Sequence, residues 1–129
     1  MSRSGGPESI VEAFARAYRA KRYDEIYDLY ASDSEIRKAF TKESYTSRMR
    51  NTALRTKMEI QEARITGSYV LGDTARVVLT STTRSIVGDW HLEEEFDLKR
   101  ETGNWRIANI LKLRQWPFKQ GGVGVRSGK

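Results

Sequence analysis

The first part of the chain has apolar residues at the spacing of amphipathic helices. Residues 7 to about 21 carry one apolar stripe with a three- or four-residue repeat, which predicts a helix. The members of this stripe are Ile10, Val11, Phe14, Ala17 and Tyr18. The same spacing predicts a second helix over residues 23–30. Asp33 or Ser34 can cap a turn of helix through Phe40, and Thr41 can cap a further helix to about residue 51.

From Lys57 onward the apolar period changes to two, which predicts an antiparallel sheet after the helices. The predicted strands are 57–71, 74–86, 90–100 and 105–114, with turns at Gly72-Asp73, Gly88-Asp89 and Thr102-Gly103. In the first strand the apolar residues up to Ile60 have one parity and those from Ala63 have the other. A β-bulge between them would bring both sets to one face.

Two-residue turns fix which residues of neighbouring strands lie opposite each other, and so which share a face. The last hairpin pairs Glu101 with Asn104, Leu98 with Ile107, Phe96 with Asn109, Glu94 with Leu111 and Leu92 with Leu113. The hairpin before it pairs Val87 with Trp90, Ser85 with Leu92, Thr83 with Glu94, Ser81 with Phe96 and Leu79 with Leu98. One end of the resulting face is apolar core, and the other end mixes polar and apolar side chains.

The mixed end is predicted to be the wall of a ligand pocket with a polar floor. Its predicted residues are Glu94, Asn109, Ser81, Thr83, Trp90, Phe96 and Leu111. Glu94 is the most informative, because a buried carboxylate needs a partner or a raised pKa. Three interpretations stay open: a residue at the rim or paired with Arg55 or Arg114, a ligand contact, or an acid–base catalyst. Asn109 can equally satisfy backbone groups, and Trp90 can equally be a core aromatic.

Composition limits the chemistry. The 129-residue chain has the length of one domain, and we expect it to span 7–118 between a flexible N-terminus, 1–6, and a basic glycine-rich tail, 119–129. The absence of cysteine excludes disulfides, thiolate metal sites and a cysteine nucleophile. The only histidine, His91, has the parity opposite to Trp90, so we expect it to point away from the pocket. We therefore predict no catalytic residues, no metal and no cofactor.

The net charge of +6 raises the possibility of an anionic partner, although the two predicted flexible ends carry most of it. Within the predicted domain, the candidate anion-binding surface consists of Arg48, Arg50, Arg55 and Lys57. No targeting segment or apolar run of membrane-spanning length occurs in the sequence. We expect the chain as given to be cytoplasmic, or extracytoplasmic if it is excised from a larger protein.

The order of these elements resembles the nuclear transport factor 2-like superfamily of cone-shaped α+β domains, in which helices precede a strongly curved antiparallel sheet. The residues that carry the resemblance are the opening helix, Arg22 to Tyr30, Gly72-Asp73-Thr74-Ala75, Phe96 to Arg100 and Gly103-Asn104-Trp105-Arg106-Ile107. The chain is most similar to small bacterial ligand-binding domains and to the accessory domain before some penicillin-binding transpeptidases, although no Ser-x-x-Lys motif occurs. Enzymes of this superfamily place carboxylates, histidines or tyrosines in the cone.

Three functions follow as hypotheses. The first is a non-catalytic domain that binds a small molecule in the cone or associates with protein, as a homodimer through the sheet. The second is an isomerase, dehydratase or cyclase of a hydrophobic molecule, with Glu94 as general base and Tyr18 or Tyr27 as hydrogen-bond donor. The third is a surface for nucleic acid or acidic lipid. Nucleic acid is disfavoured, since aromatic residues do not alternate with the cations.

Overall fold

The protein is described by a computed structural model that covers residues 6–117. The predicted N-terminal segment, apart from Gly6, and the predicted tail of residues 119–129 lie outside the described residues. Four helices precede four strands, in the order α1 (Pro7–Arg19), α2 (Tyr23–Leu29), α3 (Glu35–Ala39), α4 (Lys42–Thr56), β1 (Glu59–Leu71), β2 (Thr74–Ser85), β3 (Gly88–Glu101) and β4 (Asn104–Pro117). The fold class is α+β, as the sequence predicted.

Local capping explains where the short and the long helices begin. The Ser34 hydroxyl, and not Asp33, accepts a hydrogen bond from the Arg37 backbone N–H at the start of α3. Thr41 caps α4 and forms a reciprocal capping box with Ser44. Helix α4 continues beyond its predicted end near residue 51 and stops at Thr56. Its C-cap, Lys57, has the left-handed backbone that commonly ends a helix.

The four strands form one antiparallel sheet in the order β1-β2-β3-β4. Leu71 lies opposite Thr74, and Glu101 lies opposite Asn104, so the predicted turns at Gly72-Asp73 and Thr102-Gly103 are confirmed. The predicted irregularity of the first strand is also confirmed, because the pairing of β1 shifts between Ile60 and Glu62. A second shift follows between Ile65 and Gly67.

The predicted turn between β2 and β3 at Gly88-Asp89 was wrong. The chain reverses at Ile86 and Val87, and Ser85 lies opposite Gly88. The Ser85 hydroxyl accepts from the Val87 N–H and donates to the Gly88 carbonyl, while the Ile86 N–H donates to the Thr56 carbonyl at 2.9 Å. A contact with α4, distant in sequence, therefore helps to hold the tip of this hairpin.

The new turn changes the partners of β2 but not the side to which its residues point. Thr83 lies opposite Trp90 instead of Glu94, and Glu94 lies opposite Leu79. Because the displacement is an even number of residues, alternate side chains keep their predicted face. We call the face that carries Ala75, Val77 and Leu79 the helix-facing side, and the opposite face the outer side.

The predicted pairing of β4 was correct near the turn and wrong beyond it. Leu98 lies opposite Ile107, but the register then shifts, so that Phe96 lies opposite Ile110 and Glu94 opposite Lys112. A second shift places Leu92 opposite Gln115. Each inserted residue reverses the parity of the strand, because successive side chains point to opposite faces.

The core lies between the helices and the helix-facing side of the sheet. Helix α1 contacts β1, β2 and β4, and α2 contacts α1 and α4. The side chains that are most deeply buried are Phe96, Ile26, Leu98, Ile107, Val11 and Val77. Each fully buried aliphatic side chain contributes roughly 1.5–3 kcal/mol. Within residues 6–117, no helix has the length and apolar character that crossing a membrane requires.

Candidate ligand-binding site

A cavity of about 280 Å³ lies between α1 and the mixed end of the helix-facing side. Helix α1 contributes its two aromatic residues, Phe14 and Tyr18, and the end of α4 contributes Thr56. The strands and their connections contribute the remaining residues: Met58, Ile60, Leu79, Ser81, Thr83, Ser85, Val87, Trp90, Leu92, Glu94, Lys112 and Gln115. Apolar atoms form most of the wall surface of the cavity, so it favours an apolar molecule.

The β2–β3 hairpin forms one wall of the cavity. Gly88 has φ +137, and a Cβ built on it would lie 3.2 Å from Trp90 Nε1. The missing side chain therefore leaves the space in which the Trp90 indole packs against its own strand. Val87, at the tip, also contacts the cavity although 71% of its surface is exposed. This tip is the apolar rim of the site.

Glu94 places its carboxylate in the cavity without a protein partner. Among the residues that the structure describes, no hydrogen bond or ion pair to Glu94 is formed. Burial raises the pKa of Glu94 above its ordinary value, and the charge of Lys112 opposes this rise. Lys112 Nζ donates instead to Gln115 Oε1 at 2.9 Å. The carboxylate is thus desolvated and only partly compensated.

The cations that the sequence offered to Glu94 do not reach it. Arg114 Nε lies 3.1 Å from the carboxylate of Glu93, on the outer side of the sheet. Arg55 lies on the exposed side of α4, in a shallow groove with Arg48. Pairing of Glu94 with Arg55 or Arg114 was therefore wrong, and Lys112 is the nearby cation.

Five hydroxyl-bearing residues line the cavity with Glu94, and two of them, Thr56 and Ser85, donate to backbone carbonyls. The other three hydroxyl groups have no such partner among residues 6–117. Ser81 is only 4% exposed, and its hydroxyl forms no hydrogen bond within the described part of the chain. The side-chain hydroxyls of Thr83 and Tyr18 likewise have no protein partner among residues 6–117. Buried polar groups are normally satisfied by protein or water. These groups are consequently available to a ligand or to water in the cavity.

A cluster of tyrosines lies beside this site. Burial raises the pKa of the Tyr18 hydroxyl, and the nearby groups of Tyr23, Tyr45 and Glu94 raise it further. Burial also raises the pKa of Tyr30 to about 12, against a hydrogen bond with Tyr45 that lowers it. All of these phenols remain neutral donors near pH 7. Tyr27 is not available to the cavity, because its hydroxyl donates to the Phe40 carbonyl at 2.6 Å.

The structure brings four of the seven predicted pocket residues to the cavity, namely Glu94, Ser81, Thr83 and Trp90. Phe96 is fully buried and packs edge to face on Phe14, with ring centroids 4.9 Å apart. It belongs to the core. Asn109 and Leu111 lie on the outer side, because the first register shift of β4 reverses their parity, and Leu111 is 51% exposed. Their placement in the pocket was wrong.

Sequence reasoning missed Lys112 and Gln115. The first shift of β4 turns Lys112 toward the helices, and the second restores the original parity, so that Gln115 faces the same side as Ile107. One signal was present: Ile110 has the parity opposite to Trp105 and Ile107. The same mixed parity had indicated the bulge of β1. Applied to β4, it would have indicated that Asn109 and Leu111 point outward.

His91 lies on the outer side, as predicted. Its ring stacks on Trp116, with centroids 5.1 Å apart and planes at 27°. Within the described residues, no group of three or more histidine or acidic side chains is placed to hold a metal ion. Neither observation adds a catalytic group to the cavity.

The four predicted anion-binding residues lie on or beside α4, and all are exposed. Arg48 and Arg55 are seven residues apart and line the same groove with Ser44, Ser47, Asn51 and Thr52. Arg50 is directed elsewhere, since its charge acts on the pKa of Tyr23. Lys57 lies beyond the helix as its C-cap. The four cations therefore do not form one continuous patch.

Several solved structures share this architecture. A SEC-C motif-containing protein from Rhodopseudomonas palustris is 18% identical, with a TM-score of 0.68 over 88% of this chain and 83% of that one. A ketosteroid isomerase-like protein from Erwinia carotovora is 18% identical, with a TM-score of 0.61 over 83% and 93%. An NTF2-like protein of unknown function from Pseudomonas putida is 17% identical, with a TM-score of 0.62 over 88% and 86%.

No family model and no characterised protein sequence matches the chain. Identities this low establish the fold alone. The chain has a nuclear transport factor 2-like α+β fold, as the order of its elements and the Gly-Asn-Trp-Arg-Ile hairpin predicted.

Proposed function

We propose that this protein is a non-catalytic domain that binds a small, mainly apolar molecule in the cavity between α1 and the sheet. The observation that carries the proposal is the carboxylate of Glu94, which has no partner among residues 6–117 and lies in a cavity whose wall is mainly apolar. Keeping such a group desolvated opposes folding, and a ligand that satisfies it offsets that loss. The register shifts in β1 and β4 support a curved, cone-like sheet, because bulges bend strands.

The volume limits the size of the ligand. The cavity, about 280 Å³, is roughly twice the size of an engineered cavity of about 150 Å³ that binds benzene. A two-ring molecule is therefore of suitable size. We choose 2-naphthol as the probe, because it combines an apolar body with one hydroxyl group that can donate to a carboxylate.

A pair of neighbouring substitutions tests the proposal by calorimetric titration of 2-naphthol. Ser81→Leu places a larger side chain in the cavity and should abolish binding. Thr80→Leu is the matched control: Thr80 is adjacent, half-buried and on the outer side. It should leave the affinity unchanged. Equal affinity of the wild type and Ser81→Leu, or no binding to the wild type, would contradict the proposal.

A second candidate is acid–base catalysis on a hydrophobic small molecule, as in an isomerase, dehydratase or cyclase. It is favoured because Tyr18 and Glu94 line the same cavity and interact electrostatically. The neutral Tyr18 hydroxyl is a hydrogen-bond donor, and the pKa of the Glu94 carboxyl is raised. Glu94 would remove a proton next to a carbonyl, and Tyr18 would donate to the developing oxyanion.

Deuterium exchange at the acidic carbon of 2-tetralone, followed by NMR, tests this candidate. Wild-type protein should accelerate the exchange above the rate in buffer, and Glu94→Gln should remove the acceleration. Glu93→Gln, on the outer side, should retain it. An exchange rate equal to that of buffer with wild-type protein would reject catalysis of this kind.

We further propose that two copies associate through the outer side of the sheet. Acidic residues of β3 (Glu95 and Asp97) lie beside Arg76 of the flanking strand β2, so a two-fold arrangement can place opposite charges together. Leu111 adds exposed apolar surface. Sedimentation velocity should detect a dimer that Leu111→Glu converts to a monomer. A wild-type monomer at all concentrations would contradict it.

A further inference from the structure

Several polar groups of the cavity can accept hydrogen bonds that no protein group among residues 6–117 donates to them. A carboxylate accepts hydrogen bonds and donates none, so Glu94 lacks a donor. The hydroxyls of Ser81 and Thr83 can also accept, and Ser81 and Glu94 are diagonal neighbours across the β2–β3 pair, since Ser81 lies opposite Leu92. The site thus presents a group of acceptors with a negative charge at one member.

Among the described residues that line the cavity, Lys112 is the only cation, and it is already engaged. Lys112 Nζ donates to Gln115 Oε1, three residues along the same strand, at 2.9 Å. It lies opposite Glu94 across the β3–β4 pair, yet forms no ion pair with it among the described residues. Lys112 is exposed, whereas Glu94 is half-buried. The deeper part of the site therefore remains acidic.

An apolar molecule with a primary amine fits this arrangement better than a neutral or anionic one. An ammonium group has three donors, which matches a carboxylate together with two hydroxyl acceptors. Charge-assisted hydrogen bonds of this kind are about twice as strong as neutral ones. An anionic group would instead meet the Glu94 carboxylate, a repulsion that its partial burial strengthens.

We infer that the ligand of this cavity is a cationic amine with a compact apolar body, whose ammonium group binds Glu94 and donates to Ser81. The inference rests on the proposed function, because it names the ligand class of the same site. It adds a charge preference that the size and apolar character of the cavity do not give. The aromatic rings of Tyr18 and Trp90 line the cavity and would contact the apolar body of this ligand.

Three probes that share a naphthalene body separate charge from shape. They are 2-naphthylmethylamine, which is a cation near pH 8, neutral 2-naphthol, and anionic 2-naphthoate. Each is titrated calorimetrically into the wild type, Glu94→Gln and Glu93→Gln at one ionic strength. Glu93→Gln is the matched control, because it removes the adjacent carboxylate on the outer side, where that carboxylate pairs with Arg114 at 3.1 Å.

The wild type should bind the amine most tightly, then 2-naphthol, then 2-naphthoate. Glu94→Gln should weaken the amine by roughly 10- to 100-fold, as expected for the loss of a hydrogen bond to a charged group. It should leave 2-naphthol within a few-fold and improve binding of 2-naphthoate. Glu93→Gln should preserve the wild-type order.

The outcomes distinguish failure of the proposed ligand site from failure of the inferred preference for an amine. If 2-naphthol does not bind the wild type, the proposed function fails, and the inference fails with it. If 2-naphthol binds but the amine binds no tighter, or if Glu94→Gln leaves the amine unchanged, the cavity is a ligand site and the inferred amine preference is wrong. An equal loss of amine binding in Glu93→Gln would show a general surface charge effect, and would also overturn the inference.

Discussion

At the scale of single residues, two adjacent acids show how the sheet gives similar side chains different roles. Glu93 faces the outer side and pairs with Arg114, while Glu94 faces the cavity and has no partner in the part of the chain that the structure describes. The difference follows from strand geometry alone, since neighbouring side chains point to opposite faces. The sequence was sufficient to assign the side of Glu94. It was not sufficient to identify Lys112 as the nearby cation, because that depends on the bulges of β4.

Because the pKa of Glu94 is raised, replacing its carboxyl group should increase the stability of the folded protein in a pH-dependent way. In the unfolded chain the carboxyl has an ordinary pKa of about 4.5, and in the folded protein it is higher, so ionisation opposes folding as the pH rises through the folded value. Glu94→Gln should therefore unfold at a higher temperature than the wild type near pH 7. The difference in unfolding temperature should shrink toward pH 4, where the Glu94 carboxyl is mostly protonated in both the folded and the unfolded chain.

Thermal unfolding by circular dichroism between pH 4 and pH 8 checks this prediction. Among the described residues, the titratable groups that interact electrostatically with Glu94 are Lys112 from β4 and the phenols of Tyr18 and Tyr30. The pKa values of both phenols are raised, so the phenols stay neutral between pH 4 and pH 8. Glu93→Gln is the control and should show no such gain. A Glu94→Gln variant that is less stable than the wild type near pH 7 would mean that the carboxylate has a stabilising partner.

Phe96 tests the distinction between core and cavity wall. Because it is fully buried against Phe14, Phe96→Ala should lower the free energy of unfolding by roughly 3–5 kcal/mol. Urea denaturation measures the change. Leu71→Ala, at a position that is 66% exposed, should change stability by less than about 0.5 kcal/mol. A loss below about 1 kcal/mol for Phe96→Ala would place this ring outside the core.

At the scale of elements, the hairpins show what local sequence can and cannot determine. The turns at Gly72-Asp73 and Thr102-Gly103 were predicted from their residues, and positive φ values at Gly72 and Gly103 explain why glycine suits them. Thr102 also has a positive φ, which is uncommon for a β-branched residue. At the third turn, the prediction placed Gly88 within the reversal, whereas the chain reverses before it, at Ile86 and Val87. Positive φ is adopted by Gly88 after the reversal, whereas the tip is held by Thr56, which is remote in sequence.

Gly88→Ala should consequently destabilise the protein by about 1–3 kcal/mol, the usual range for a strained backbone conformation. At φ +137 any side chain is strained, and the added Cβ would crowd Trp90 Nε1 at 3.2 Å, so tryptophan fluorescence should also change. Gly67→Ala is the control, since its Cβ would meet Val78 at an ordinary 3.6 Å.

Urea denaturation with fluorescence detection measures both effects in one experiment. Gly67→Ala should be neutral or slightly stabilising, because it reduces the entropy of the unfolded chain without strain. Equal stabilities for Gly88→Ala and Gly67→Ala would mean that Gly88 does not adopt the positive φ on which the predicted loss depends.

At the scale of the whole molecule, the order of helices and strands followed from the periodicity of apolar residues, and so did the fold. The bulge of β1 was also predictable, because Ile60 and Ala63 differ in parity. The candidate site was predicted only in part. Asn109 and Leu111 were placed in it by continuing a regular register through β4, where no glycine or proline marks the two shifts. The first shift brings Ile110 against the core, and the parity of Ile110 relative to Ile107 was the signal for it in the sequence.

The central claim is that the cavity between α1 and the sheet is the ligand site. The most direct measurement is an NMR titration of ¹⁵N-labelled protein with 2-naphthol. We expect saturable shifts of the backbone amides of Ser81, Leu92 and Glu94, with little change at Tyr69 and Leu71, which line a separate groove at the other end of the sheet. An absence of saturable shifts, or shifts confined to that separate groove, would contradict it.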